Sequence, residues 1–343
     1  MLRQLRIQNI RNHTEGSFDF SPTTTVIIGN NGTGKTSLLE AIYIAYRGAS
    51  FRGTDKDILR DSADWYRIDI ADEGHDRIVR YVADSGGRLK KNFEIDTKKT
   101  FRLSQKNKRP IVIFSPDDLQ LLSGSPSRRR RYLDTLAASL DPRYSPALSR
   151  YEQALLQRNR LLKSLNCTPD LIFPWNVILS EYGSYITHAR SRIAALFNER
   201  LSSKYHTIAN DDDTFTVAYS HTPHTAQYLL AEYEAGYEKD RIVGSTTTGP
   251  HRHDLVIEMN KKYAQDVASR GENRTIILAL KSIEAEVMAE VYGEKPLILL
   301  DDVYGELDDM RQRLVDTVFD EYQTIITSTH AVEPSRGGST IRL

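Results

Sequence analysis

Cysteine is almost absent from this chain of 343 residues: Cys167 stands alone, so no internal disulfide can form. A lone thiol reads as a small apolar filler in a protein of a reducing compartment. Net charge is absent too. With 46 basic and 46 acidic residues, no global field steers the chain toward a polyanion. A local patch would still suffice for nucleic acid, because a handful of lysines and arginines binds phosphates. No apolar run approaches the length that spans a bilayer, and Met1-Leu2-Arg3-Gln4-Leu5-Arg6 carries no apolar signal core. The expectation is a soluble, cytoplasmic protein with no membrane partner. Internal repeats, low-complexity linkers and sustained heptads are missing as well, which argues against a long coiled coil.

What is present is an ordered change of pattern. Residues 1–114 read mainly as strands, including Val26-Ile27-Ile28, Tyr66–Ile70 and Ile78–Val82. From Pro116 to about His206 the apolar residues recur at helical spacing, with a helix start at Ser125-Pro126 and helices over Pro142–Leu165 and Pro174–Tyr205. Strands return near Thr214, and strand and helix then alternate through Leu255–Met259, Thr275–Tyr292, Leu297–Leu300, Asp308–Phe319 and Thr324–Thr327. The pattern predicts an α/β fold, discontinuous in sequence: lobe I over 1–115 and 245–343, interrupted by a mainly helical lobe II over 116–244.

Three segments carry chemistry. Gly29-Asn30-Asn31-Gly32-Thr33-Gly34-Lys35-Thr36, followed by Ser37, matches G-x-x-x-x-G-K-[ST] between a strand and a helix. Its glycines turn backbone N–H groups toward phosphate oxygens; Lys35 would reach the β- and γ-phosphates, and Thr36 would hold Mg²⁺. The apolar run Leu297-Ile298-Leu299-Leu300 ends in Asp301-Asp302, where parallel strands present ligand-binding groups. Asp301 would hold the Mg²⁺ across from Thr36, and Asp302 would position or activate the attacking water. The third segment, Ser269-Arg270-Gly271-Glu272-Asn273-Arg274, opens a helix before that strand and has the make-up of a second anion site. One phosphate loop already serves the first site. The surplus is explained if Ser269, Arg270 and Gly271 complete a nucleotide site on another subunit.

With these segments in that order, the chain resembles the ABC-type ATPase heads of the SMC/Rad50 class, and within it the RecF family. Further similarity lies in Ile7-Gln8-Asn9-Ile10-Arg11-Asn12, Phe114-Ser115-Pro116-Asp117-Asp118-Leu119, Gly124–Arg131, Gly249-Pro250-His251-Arg252 and Leu300–Asp308. The resemblance implies an ATP- and Mg²⁺-dependent DNA repair protein. Two heads would dimerise on ATP, bind DNA (duplex, single strand or gap junction) and release it on slow hydrolysis. It also implies RecR and RecO as partners, and roles in recombinase loading at gaps, replication recovery and the SOS response. Arg11 and Asn12 would lie near the phosphates, although Arg11 reads equally as a solvated strand-end arginine. His330, in Ser328-Thr329-His330, falls at the position of a γ-phosphate-sensing histidine. Asp302 replaces the glutamate usual in ABC ATPases, and this shorter carboxylate implies weak turnover. Glu272-Asn273 departs from the common glutamine, and His253 replaces an acidic residue.

For DNA, the candidate contacts are Lys90, Lys91, Lys98, Lys99, Lys106, Lys108 and Arg109; a solvated charged face explains such residues as well. Arg128–Arg131 reads as a weaker candidate, or as internal partners of Asp117, Asp118 or Asp134. Two other readings remain open: an SMC/Rad50-like structural ATPase, and a small-molecule kinase with the same phosphate loop.

Overall fold

Alternation along the N-terminal strands builds the first sheet. In the computed structural model, which describes residues 1–84, 86–303, 315, 317–330, 334 and 337–343, the chain opens with β1 (Leu2–Ile10), β2 (His13–Asp19) and β3 (Thr24–Ile28). Helix α1 (Lys35–Arg47) and the one-turn α2 (Asp55–Ile58) follow, then β4 (Tyr66–Asp72), β5 (Asp76–Ala83), β6 (Leu89–Ile95), β7 (Lys98–Thr100) and β8 (Ile111–Phe114). Six of these strands form an antiparallel sheet in the order β2-β1-β4-β5-β6-β7. Its register sets Leu5 opposite Ile70, Ile7 opposite Ile68 and Tyr66 opposite Tyr81, so every second side chain enters the core.

The chain then runs through α3 (Gln120–Ser123), α4 (Pro126–Leu140), α5 (Tyr144–Leu162), α6 (Pro169–Ala209), β9 (Phe215–Tyr219), α7 (Ala226–Ala235) and α8 (Tyr237–Val243). After these come β10 (Leu255–Met259), β11 (Lys262–Tyr263), α9 (Ala264–Val267), α10 (Arg270–Tyr292), β12 (Leu297–Leu300), β13 (Thr324–Ser328) and β14 (Ser339–Arg342). A parallel sheet in the order β14-β3-β13-β12-β8 gathers strands from both ends of the chain. All four residues of β12 are buried, as a central parallel strand requires.

Two compact units result: 1–118 with 281–343, and 119–280. In the first, α1 shares one core with both sheets, through Leu38, Leu39 and Ile42 beside Leu5, Ile68, Ile27 and Leu299. The buried Gln323 stitches the sheets together: its amide accepts from the Leu2 N–H and donates to the carbonyls of Leu2 and Ser21. In the second unit, α5 carries Arg158, fully buried and bonded to Asp240, Asn176 and Thr246. Such a charge is tolerable inside only because it is paired and each of its three nitrogens meets an acceptor, Nη2 at the Tyr233 carbonyl.

The structure moves two sequence boundaries. The second unit extends to residue 280 rather than 244, because β10 pairs with β9 and β11 in a separate antiparallel sheet. Helix α6 starts at Pro169, where Thr168 is extended, and runs on through Pro174. Proline this close to a helix start forfeits one intrahelical bond without ending the helix. The expected segment Leu300–Asp308 passes out of the described residues after Val303, and the helix expected over Asp308–Phe319 lies largely outside them. Among the described residues no helix is long and apolar enough to cross a membrane.

Candidate functional site

The phosphate loop folds around two left-handed glycines. Gly32 has φ +83° and Gly34 φ +96°, and Gly34 is the residue from which α1 starts. A Cβ on Gly34 would lie 2.2 Å from His13 Nε2, so the loop tolerates no side chain there. The same His13 nitrogen sits 3.1 Å from the Gly34 carbonyl, and Asn12 Nδ2 donates to the Gly32 carbonyl at 2.7 Å. The turn between β1 and β2 thus braces the loop. Lys35, almost fully buried, curls over it and donates to the carbonyls of Gly29 (2.7 Å) and Asn30 (3.1 Å). Thr33 Oγ1 closes the loop on the Asn30 carbonyl at 3.0 Å.

Across the parallel sheet, Asp301 ends β12 beside the start of α1. Its Oδ1 accepts from Thr36 Oγ1 at 2.8 Å and from Thr327 Oγ1 at 3.0 Å. Burial pushes the Asp301 carboxyl up from the usual range, while the two hydroxyls and the nearby Arg52 charge pull it back. Asp302 adopts φ +51°, unusual for a residue with a side chain, and its N–H donates to Thr327 Oγ1 at 2.8 Å. The Asp302 Oδ1 is buried without a hydrogen-bond partner among the described residues. A strained backbone and an unsatisfied carboxylate are features found at working sites.

A cleft of about 320 Å³ opens over these groups, lined by Arg11, Asn12, Asn31, Gly32, Gly34, Lys35, Thr36, Ser37, Arg52 and Asp302. It gathers positive charge and backbone N–H groups on one side and a carboxylate on the other. The hydroxyl of Thr36 against Asp301, next to an unpartnered Asp302 oxygen, is an all-oxygen donor set suited to Mg²⁺. When bound there, Mg²⁺ would neutralise phosphate charge. Arg11 is no solvated strand-end arginine: it pairs with the fully buried Glu40 at 3.1 Å while facing the cleft. Sequence reasoning missed Arg52, His13 and Glu40, which lie outside the motif and reach it only through folding.

Ser269 and Arg270 are exposed in the second unit, and Gly271 is half-buried. Ser269 Oγ accepts from the Glu272 N–H at 3.3 Å, and Glu272 Oε2 accepts from the Ser269 N–H at 2.6 Å. This reciprocal capping box explains Glu272, whose spacing from Ser269 is its sequence signature. Asn273 Nδ2 donates to the Leu119 carbonyl at 3.0 Å, anchoring the helix start. His330 is exposed after β13; its backbone is tied to Ser328 Oγ, and it is not among the residues lining the cleft.

The basic candidates separate. Lys90 pairs with Asp84 at 2.7 Å, Lys91 with Asp55 at 2.5 Å and Arg109 with Glu294 at 3.0 Å. Burial lowers the affinity of Lys108 for its proton. Lys98, Lys99 and Lys106 are exposed, with no ion pair among the described residues. In the arginine run, Arg129 is buried against Asp254 at 2.7 Å, and Arg130 donates to the His253 carbonyl at 2.9 Å. Of the expected partners, Asp118 pairs with Lys281 and Asp134 with Arg190. His253 is buried, stacked on His221 at 3.8 Å and bonded to Tyr219 OH, so it serves the interior of the second unit.

Comparison with known proteins places this arrangement. A family model described as an AAA domain matches residues 4–138. The DNA replication and repair protein RecF of Halalkalibacterium halodurans is 34% identical over 345 residues, covering 96% of this chain and 92% of that protein. RecF of Streptococcus equi subsp. zooepidemicus is 34% identical over 341 residues, with 96% and 91% covered. A solved structure described as the recombination mediator protein RecF-ATP in the RecFOR pathway superposes with a TM-score of 0.82 at 28% identity, covering 97% of this chain and 94% of that one. An SMC head bound to the C-terminal winged-helix domain of ScpA shares the fold at TM-score 0.53 and 15% identity, covering 96% and 89%. With relatives of this identity along nearly its whole length, the chain belongs to the RecF family of DNA replication and repair proteins.

Proposed function

We propose that this protein is an ATP-switched DNA-binding protein of recombinational repair, with weak, DNA-stimulated ATPase activity. The observation that carries this reading is the buried Asp301, held between Thr36 and Thr327 beside the unsatisfied Asp302. ATP would lie on the loop Gly29–Thr36, with Lys35 on its β- and γ-phosphates, Ser37 near the loop's exit, and Arg11 and Asn12 on its flank. Thr36 and Asp301 would hold Mg²⁺. Asp302 would orient the attacking water, and its short reach fits slow turnover. His330 would contact the γ-phosphate once two subunits meet.

Ser269, Arg270 and Gly271 of a second copy would complete each site. The exposed Ser269 in its capping box supports this, because a helix start offers N–H groups to phosphate. ATP then stabilises only the associated state, which makes it a dimerisation switch. The homodimer would bind duplex DNA, single strands or gap junctions through phosphate contacts, with Lys98, Lys99 and Lys106 the available cations. RecR and RecO are the proposed partners in loading recombinase at gaps, replication recovery and SOS induction, and the cytoplasm is the proposed location.

Light scattering with and without ATP tests the switch. The parent should shift from monomer to dimer on ATP, whereas Lys35→Met and Ser269→Arg should remain monomeric. If either variant dimerises like the parent, the proposed interface is wrong. DNA binding that is indifferent to ATP would remove the switch from the reading.

A further inference from the structure

One carboxylate beside the cleft has no part in the roles above. Glu40 lies on α1, four residues after Thr36 and so on the same helical face, and it is fully buried. Its two oxygens accept from Arg11 Nε and Nη2 at 3.2 Å each, from Arg52 Nε at 3.3 Å and from the Ser50 hydroxyl. Ser50 in turn accepts from the N–H groups of Arg52 (3.0 Å) and Gly53 (2.9 Å), so the loop carrying Arg52 takes its shape from this one carboxylate.

The charge balance has a direction. Two guanidinium groups share one carboxylate, which leaves a net positive charge, and both arginines line the cleft. Arg52 spends only Nε on Glu40; its two Nη groups have no hydrogen-bond partner among the described residues, and its side chain is 40% exposed. A guanidinium tethered at one edge presents its remaining donors in a fixed plane, the geometry that suits a phosphate.

We propose that Glu40 is a positioning residue for the nucleotide site, aiming Arg11 and Arg52 from beneath at the phosphates held by the loop. It touches no ligand itself. Without it, the arginines would keep their charge and lose their direction. The proposal rests on the ATP reading above.

The experiment is a titration of each purified variant with a fluorescent ATP analogue and Mg²⁺, alongside its thermal unfolding. Glu40→Gln keeps the shape but removes the charge, and should weaken binding roughly tenfold, the scale of one charged hydrogen-bonding contact. In an Arg11→Gln/Arg52→Gln background, adding Glu40→Gln should change affinity by less than about twofold, because nothing is left to aim. A Glu40→Gln loss that is equally large in both backgrounds would mean that Glu40 merely supports α1, and would overturn the proposal. So would parent-like affinity in Glu40→Gln. Should Glu40→Gln fail to fold, Ser50→Ala serves instead: it frees only the Arg52 loop and should weaken binding several-fold, and unchanged affinity would refute the proposal. If the parent itself binds no ATP, or binds it equally well as Lys35→Met, the ATP reading fails and Glu40 is not at issue.

Discussion

Replacing Gly34 by alanine adds one methyl group where two independent obstacles meet. The first is conformational: Gly34 sits at φ +96°, and an L-residue held in left-handed backbone costs roughly 1–2 kcal/mol. The second is steric: the new Cβ would lie 2.2 Å from His13 Nε2 and 2.9 Å from its Cδ2, an overlap that forces the imidazole away at about 1–3 kcal/mol. Together they predict a loss of about 2–5 kcal/mol. His13→Ala alone removes the contact to the Gly34 carbonyl and should cost about 1 kcal/mol. The two changes should not add, because the smaller side chain at 13 makes room for the methyl. The double variant keeps the backbone strain and the lost contact, about 2–3 kcal/mol in all, rather than the roughly 3–6 kcal/mol of independent sites. Urea unfolding of the four proteins, fitted to midpoints and slopes, measures this. Additivity within error would refute the proposed clash, and a Gly34→Ala variant as stable as the parent would refute both obstacles. Nucleotide binding should fall in Gly34→Ala and in the double variant alike, since removing His13 does not restore the loop's left-handed turn.

Asp301→Asn should separate stability from ligand binding. Burial raises the Asp301 pKa above its unfolded value, so its ionised form disfavours the fold as pH rises through that value. The variant should therefore be as stable as the parent or more so at neutral pH, while Mg²⁺ no longer strengthens nucleotide binding in a titration with and without the ion. A pH series tests the buried histidines. Burial lowers His251 to about 4 and His253 to about 3, with His221, Arg190, Arg130 and Arg252 adding repulsion. Both values lie below the ordinary 6.5. The unfolded chain therefore takes up protons first, and stability present above pH 6.5 should fall away as pH drops through 4 toward 3. Replacing His253 with phenylalanine should flatten part of that acid limb in unfolding experiments.

Much of the site was legible in local pattern. The glycines of 29–34 and the lysine after them have the spacing of a tight loop that turns into a helix, as it does at Lys35, and a four-residue apolar run ending in two aspartates has few alternatives to a central strand. The Ser269–Glu272 spacing encodes a capping box, which gives Glu272 a local role at the helix start. Other features left weaker traces. The last strand, Ser339–Arg342, has a single aliphatic residue, Ile341, and becomes a strand because β3 offers it a parallel edge. The basic residues looked alike in sequence. Folding alone decided that Arg129 is an internal strut, that Lys91 is tied to Asp55 and that Lys98 faces water.

The sequence by itself determined the α/β class, the phosphate loop, the acid pair and the capped helix start, because each depends on neighbours within a few residues. Tertiary structure decided which groups meet. His13 fills the space over Gly34, Gln323 joins two sheets, and Glu40 gathers Arg11 and Arg52 from opposite sides of α1 in the chain. Those partners lie from 12 to more than 300 residues apart, and no local periodicity records such a distance. Only burial of a charge or an amide that must be satisfied brings them together, and that requirement acts once the core has closed.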